Sequence, residues 1–467
     1  MAKKEKSESN LENISLSQRP DYQISKFLSC QKSNSTRGKG FLKCKHDTKW
    51  ECNFEISQLL NGRLFIILSI QTEIFLWDKL EHNLSNCYPF SVEGIDFQNQ
   101  KVHIDNINFT NAYPLDMMLV GYGQTAQISN SLLPLPEMID IEYNIINFRL
   151  NQMVTPIKIV LNGFSFEINN LSYIDGSRTK EHSIAYRHPI VSANIEGRDI
   201  SSNELNKIQS NVETICWLLS IACRKHVFIA SRTISSNKLV IKNYFEPTFT
   251  QIGHIRDLIP NGSVREFLSA SFERINGEFR GLNLGITVDH YLQALILRSA
   301  WALSVGIITA MEALKSELWK FRGEKDEQFQ YWIAPIEYDQ QKEEISEEII
   351  KVLVNHFSKF KTLGKEEKLA IKTQINNINY RSYRTQLKRI FDLLQISYTK
   401  VELNNFIKVR NLIIHYGDLE NQRDNLDWKN AKMAIALFEK TLLAVLGYKG
   451  KYEPYNYDDS NSIDQTI

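Results

Sequence analysis

Arg410, Asn411 and His415 stand within six residues of one another in the stretch FIKVRNLIIHYGDLE, Phe406 to Glu420. The stretch has the pattern of an amphipathic helix. At ~100° per residue, Leu403, Phe406, Ile407, Val409, Ile413 and Ile414 spread over one broad apolar face. Arg410 falls inside that face, and Asn411 and His415, one turn apart, share a strip beside it. A guanidinium taken out of water is costly unless it is paired. One partner is an internal carboxylate, Glu312; the other is an anionic phosphate, which accepts a two-pronged hydrogen bond from arginine. His415 comes just before Gly417, where the negative end of a helix dipole would also favour an imidazole.

A second set of cations lies shortly before, in YRSYRTQLKR, Tyr380 to Arg389. The spacing places Arg381, Arg384 and Lys388 on one helical face at three- and four-residue steps. Such a face could follow a phosphate backbone while the tyrosines stack on bases. It could equally be the solvent side of a helix whose Leu387, Ile390, Phe391 and Leu394 pack inward. Charge is uneven around these residues. From 361 to 410 there are 11 Lys or Arg against 4 Asp or Glu, a local net of +7, and from 324 to 348 there are 2 against 9, a net of −7. Solvated helix faces explain both runs, and a phosphate-binding surface would explain the basic one.

Other chemistries find little support. Cysteines 30, 44, 52, 87, 216 and 223 include no C-x-x-C pair, which suits a reducing compartment better than a zinc site or a disulfide framework. His46 lies between Cys44 and Cys52, but no fourth ligand stands at a useful spacing, so no metal is expected. There is no G-x-S-x-G elbow, and the glycines of GEFRGLNLG do not open a helix after a strand as a phosphate loop requires. No cofactor is implied. The net charge of +1 neither favours nor excludes a nucleic-acid partner. The first 20 residues lack the apolar core of a secretory signal and read as a disordered leader. The apolar run ALILRSAWALSVGIITAMEAL is broken by Arg298 and Glu312, so it reads as a helix buried in protein rather than in lipid. No membrane association and a cytoplasmic location are expected.

The elements that must carry these residues divide the chain in two. From 21 to about 250, short segments rich in β-branched and aromatic residues (KWECNFEI, GRLFIILSIQ, KVHIDNINF, DMMLVGYG, IDIEYNIINFRL, PIKIVLNGFSFEI) predict an antiparallel sandwich or barrel. A helix from about 202, with Ser202 or Asn203 as its cap, and the strands HVFIASRTI and KLVIKNYF close this module. From about 255 to 450 the pattern is helical, over 263–275, 289–321, 341–361, 365–377, 381–396, 400–416 and 428–446. Residues 451–467 read as a disordered acidic tail. The fold class is α+β, with an N-terminal β-rich module followed by a C-terminal helical bundle.

In this context the motif resembles that of the HEPN superfamily, and among its members the Apea-like HEPN domains of bacterial defence proteins. The family signature is an arginine, a polar residue, a few further residues and a histidine on a late helix, here Arg410, Asn411 and His415. LRSAWALSVGIITAMEALKSEL resembles the family's long helix with a late glutamate, Glu312, and YRSYRTQLKRIFDLLQI the helix before the motif helix. The β-rich half is similar, by arrangement only, to the sensor-like module that precedes such domains. The resemblance implies a metal-independent endoribonuclease acting in anti-phage defence by abortive infection. It would be a homodimer with the motif helices of two protomers facing each other. Arg410 would clamp the scissile phosphate, His415 would serve as general acid or base near neutral pH, and Asn411 would orient His415 or the substrate. The implied partners are RNA, with tRNA a candidate, contacted further by Arg381, Arg384 and Lys388, and a phage-derived trigger at the β-rich module. The alternative is a non-catalytic HEPN dimer that binds RNA, nucleotide or a protein. In a third reading the β-rich half is the active part, binding a phage protein or carbohydrate.

Overall fold

The computed structural model describes residues 35–44, 49–58, 62–71, 80, 84, 89–113, 117–129, 135–148, 156–170, 191–236, 239–245, 256–297, 299–323, 331, 335–356, 364–376, 379, 381–415, 428–455 and 465–466. It divides into two compact units, Met1–Ser269 and Ala270–Ile467. The fold class is α+β, as the sequence predicts: strands dominate the first unit and helices the second.

Six strands of the first unit close into an antiparallel barrel. These are β1 (Ser35–Cys44), β2 (Lys49–Gln58), β3 (Leu64–Ile70), β4 (Phe90–Asp96), β5 (Lys101–Tyr113) and β6 (Met118–Gly123). Their order is β4-β1-β2-β3-β6-β5, and the β4–β5 pairing joins the two ends, which removes the exposed edges of an open sheet. Alternation fills the interior. Trp50, Phe54, Leu64, Leu68, Val92 and Leu119 all point into one apolar core. Where β1 meets β4 the backbones approach closely. A Cβ on Gly40 would collide with the Glu93 carbonyl, and one on Gly94 with that of Lys39, so only glycine fits this wall.

The sheet continues beyond the barrel through β7 (Thr125–Ser129), which pairs with the first half of β5. Beyond β7 the order is β13 (Val240–Phe245), β12 (Phe228–Ser235), β8 (Met138–Ile146), β11 (Val191–Ser201), β10 (Phe164–Asn170) and β9 (Ile157–Leu161). The segment PIKIVLNGFSFEI is a hairpin, β9 to β10, turning at Asn162 (φ 50°) and Gly163 (φ 85°). Two left-handed residues in succession are what a tight hairpin asks for, and Asn-Gly supplies them. Helix α1 (Leu205–Cys223) lays Ile208, Val212, Ile215 and Leu219 into the core. It is tied to the sheet by Arg232 donating to Gln209 (3.1 Å) and Asn162 to Asn211 (3.1 Å). Ser202 and Asn203, the alternative caps expected for α1, lie in a 3₁₀ turn (Ser202–Glu204), and Glu204 takes the cap position instead.

The second half consists of α2 (Val264–Asn276), α3 (Gly285–Leu295), α4 (Ala300–Gly323), α5 (Pro335–His356), α6 (Lys365–Asn376), α7 (Tyr383–Leu393), α8 (Lys400–His415) and α9 (Trp428–Val445). The division between the units falls within α2, later than the boundary near 255 read from the sequence. The helix expected over 289–321 is two helices. Ser299 ends the break by capping α4 through the Ala302 N–H (3.2 Å). Gly306 then lets α4 lie against α3, because a Cβ there would come within 2.5 Å of Ala294 Cβ. Leu303, Ile307 and Met311 of α4 are buried, as are Phe406 and Val409 of α8 and Ile435 and Phe438 of α9. Glu439 on α9 is fully buried and accepts hydrogen bonds from Tyr291 Oη (2.7 Å) and the Tyr455 N–H (3.1 Å). The residues from 451, expected as a disordered tail, begin with an anchored stretch. Tyr452 is 1% exposed, and Lys451–Tyr452 (β14) pairs with Gln465–Thr466 (β15). No helix among the described residues is long and apolar enough to cross a membrane.

Candidate functional site

The site is built from three helices of the second unit. α8 starts with a reciprocal cap: the Thr399 N–H donates to Glu402 Oε2 (2.6 Å) and the Glu402 N–H to Thr399 Oγ1 (3.1 Å). Leu403, Phe406 and Val409 then turn inward and are at most 1% exposed, whereas Ile414 is 48% exposed. The buried stripe is therefore narrower than the sequence suggests, and Arg410 sits at its edge with its side chain 21% exposed. α7 is fixed at its start by Ser382, whose Oγ accepts from the Thr385 N–H (3.3 Å), so Tyr383 enters the helix beside Arg410.

Arg410 Nε donates to Glu312 Oε1 of α4 at 3.1 Å, and its Cζ lies 4.1 Å from the centroid of the Tyr383 ring. The other oxygen of the same carboxylate, Oε2, holds Lys315 Nζ at 2.7 Å, and that ammonium lies 4.7 Å from the same ring centroid. Two cations therefore share one carboxylate and one aromatic ring, a favourable arrangement for both. Burial, followed by the nearby Glu312 carboxylate, pushes the Tyr383 hydroxyl well above the ordinary phenol range, while Arg410 opposes the shift. The outer edge of the guanidinium is less committed. Among the described residues Nη1 makes only a 3.5 Å contact with Asn411 Oδ1, and Asn411 itself is exposed.

The sequence thus locates Arg410, its partner Glu312 and the neighbouring Asn411. His415 closes α8 as its last residue, but its side chain lies outside the described residues, as do Tyr416 and Gly417. The basic face expected on α7 is not a single array. Arg381 precedes the cap Ser382, outside the helix, and its Nε donates to the Tyr331 carbonyl (2.9 Å). Arg384 reaches across to Asn404 of α8 (2.6 Å), and only Lys388 stands on an exposed helix position. Lys315 was not singled out by sequence, and Tyr383 was read only as one of the tyrosines that stack on bases, whereas its ring lies against Arg410 and Lys315. The signal for Lys315 was its position one turn after Glu312, whereas nothing local marks Tyr383 as the ring under Arg410.

Of the remaining candidates, Cys44 and Cys52 are buried free thiols of the barrel, and His46 lies outside the described residues. Among the described residues no three His, Cys, Asp or Glu side chains converge as metal ligands would. Comparison with protein families, curated proteins and solved structures finds no match, so the likeness to HEPN domains rests on the residues themselves.

Proposed function

We propose that this chain is a metal-independent endoribonuclease of the HEPN type, acting in the cytoplasm in anti-phage defence. Arg410 holds the scissile phosphate, and His415 moves the proton of the 2′-hydroxyl nucleophile or of the leaving group. Asn411, one turn before His415, orients the imidazole or the substrate. The observation that carries the reading is the way Arg410 is held. In the chain without RNA, Tyr383 takes its flat face and Glu312 its Nε, so the guanidinium is held in place while, among the described residues, its Nη edge keeps only the long contact to Asn411. A preorganised donor edge of this kind suits charge that gathers on phosphate oxygens in the transition state. The half-exposed Ile414, next to His415 on α8, fits a seam between two copies of the motif helix, with C2 pairing setting the same surface against itself. The β-rich unit then serves as the sensor that restrains or directs cutting.

One observation favours the second reading, a non-catalytic dimer that binds RNA, nucleotide or protein: Arg410 already has internal partners in Glu312 and Tyr383. Sequencing RNA ends in cells that express the wild type or His415→Ala separates the two. New RNA ends that depend on His415 support the enzyme; identical end profiles leave the binding module.

A further inference from the structure

We propose that Lys315 is a second phosphate-binding group of this site, and that Glu312 holds Lys315 together with Arg410 until a substrate phosphate takes the carboxylate's place. The inference rests on the reading of Arg410 as an RNA-phosphate ligand and adds to it a new residue and an internal competitor.

Glu312 and Lys315 are one turn apart on α4 and therefore present their side chains on the same side of the helix. The carboxylate is divided, with Oε1 accepting from Arg410 Nε at 3.1 Å and Oε2 lying 2.7 Å from Lys315 Nζ. Both cations also face the Tyr383 ring, at 4.1 and 4.7 Å from its centroid. Among the described residues, two positive charges against one negative leave the cluster with a positive charge over. The side chains carrying it are only 21% and 14% exposed. Excess charge so far removed from water calls for an anion. The two free oxygens of a phosphodiester are spaced, like those of a carboxylate, to bridge a pair of cations. Glu312 therefore stands where such a pair of oxygens would be held, and it is displaced in exchange for a group that carries its own hydrogen-bond acceptors. The ring of Tyr383 keeps both cations in place during the exchange, since its π-face attracts them whichever anion is present.

The test uses the full chain and a short fluorescent 2′-O-methyl RNA, which lacks the attacking hydroxyl and so reports binding alone. Lys315→Met should weaken its Kd about tenfold, the scale of one charge-assisted hydrogen bond. It should also lower the slope of log K against log salt by about 0.7, the value for one phosphate contact on a single strand. Lys315→Arg should keep both. Glu312→Gln should tighten binding roughly threefold or more, because one competing negative charge is gone. A Lys315 that only braces α4 would leave the salt slope unchanged on substitution, and a Glu312 that only positions Arg410 would make Glu312→Gln bind more weakly; either result overturns the proposal. Should Lys315→Met fail to fold, Lys315→Gln is read by the same criteria. Arg410→Ala separates the two levels of inference. If it loses binding while Lys315→Met does not, the role of Lys315 falls alone; if it binds like the wild type, the RNA-phosphate reading itself falls.

Discussion

Replacing Arg410 with alanine removes a side chain that joins α8 to both α4 and α7, and its contacts set the size of the loss. Exposed ion pairs contribute about 0.2–1 kcal/mol and breaking a buried one costs about 3–5 kcal/mol. The Arg410–Glu312 pair, 3.1 Å long with side chains 21% and 31% exposed, falls between these limits, at about 1–2 kcal/mol. The Tyr383 ring, 4.1 Å from the guanidinium carbon, adds about 0.5–1 kcal/mol. Arg410→Ala should therefore destabilise the helical unit by about 1.5–3 kcal/mol, which is the sum of these two contributions. The assay is urea unfolding followed by helical circular dichroism at a wavelength where the α-helices dominate. Glu312→Ala and the double variant complete a cycle, and the double variant should be less damaged than the sum of the singles by about 1–2 kcal/mol. A coupling below about 0.3 kcal/mol, the limit of ordinary additivity, would refute the reasoning, because the pair would then be a contact without energetic weight.

Gly306→Ala should cost about 1–3 kcal/mol by overpacking, since the new methyl meets Ala294 Cβ at 2.5 Å; a melt unchanged within error would show that α3 and α4 are not in close contact. Tyr291→Phe should cost about 1–3 kcal/mol by removing the donor to the buried Glu439, measured in the same unfolding assay. Burial pushes the Cys52 thiol up to about 12 from its ordinary 9.0. The folded state keeps a proton that the unfolded chain sheds, so this contribution is complete below about pH 9 and drains away as the pH climbs towards 12. Cys52→Ala should flatten that alkaline loss of stability, and an unchanged pH profile would contradict the assignment. The same burial should protect Cys44, Cys52, Cys216 and Cys223 from thiol reagents until urea is added, which mass spectrometry of alkylated peptides can read.

What the sequence made legible follows from range. Strands with clean alternation, such as KWECNFEI and IDIEYNII, stand out because their pattern is complete within a few residues. β1 does not, because Gly38 and Gly40 and the lysines around them dilute its β-propensity. Those glycines are required by the β4 backbone opposite, a partner some fifty residues away that no local pattern reveals. Barrel closure through β4 and β5 is hidden for the same reason. Within the helical half the periodicity located the helices, but not the break before α4, because apolar residues resume directly after Arg298 and Ser299, and a single arginine and a serine cap are a weak local signal. Arg410 was conspicuous because a charge on an apolar face is a local contradiction, and Glu312 could be anticipated as its partner. Tyr383 and the second cation, Lys315, become visible only when α4, α7 and α8 are brought together. The same assembly removes Arg381 from the basic face, since Ser382 is the cap and the helix begins at Tyr383, two residues later than the sequence suggests.

The central claim is tested most directly by incubating the purified chain with a short model RNA in EDTA, beside folded His415→Ala and Arg410→Ala variants, and identifying the ends produced. The account predicts cutting that survives chelation, spares DNA and leaves a 2′,3′-cyclic phosphate and a 5′-hydroxyl. His415→Ala should slow cutting by about 10²–10⁴-fold, the usual worth of a general acid–base group, with RNA binding nearly unchanged. Arg410→Ala should lose both cutting and binding, because a guanidinium on the phosphate acts in the ground and transition states alike. Cutting that vanishes in EDTA and returns with Mg²⁺, or that persists in the folded His415→Ala protein, would contradict the account and place any activity elsewhere in the chain.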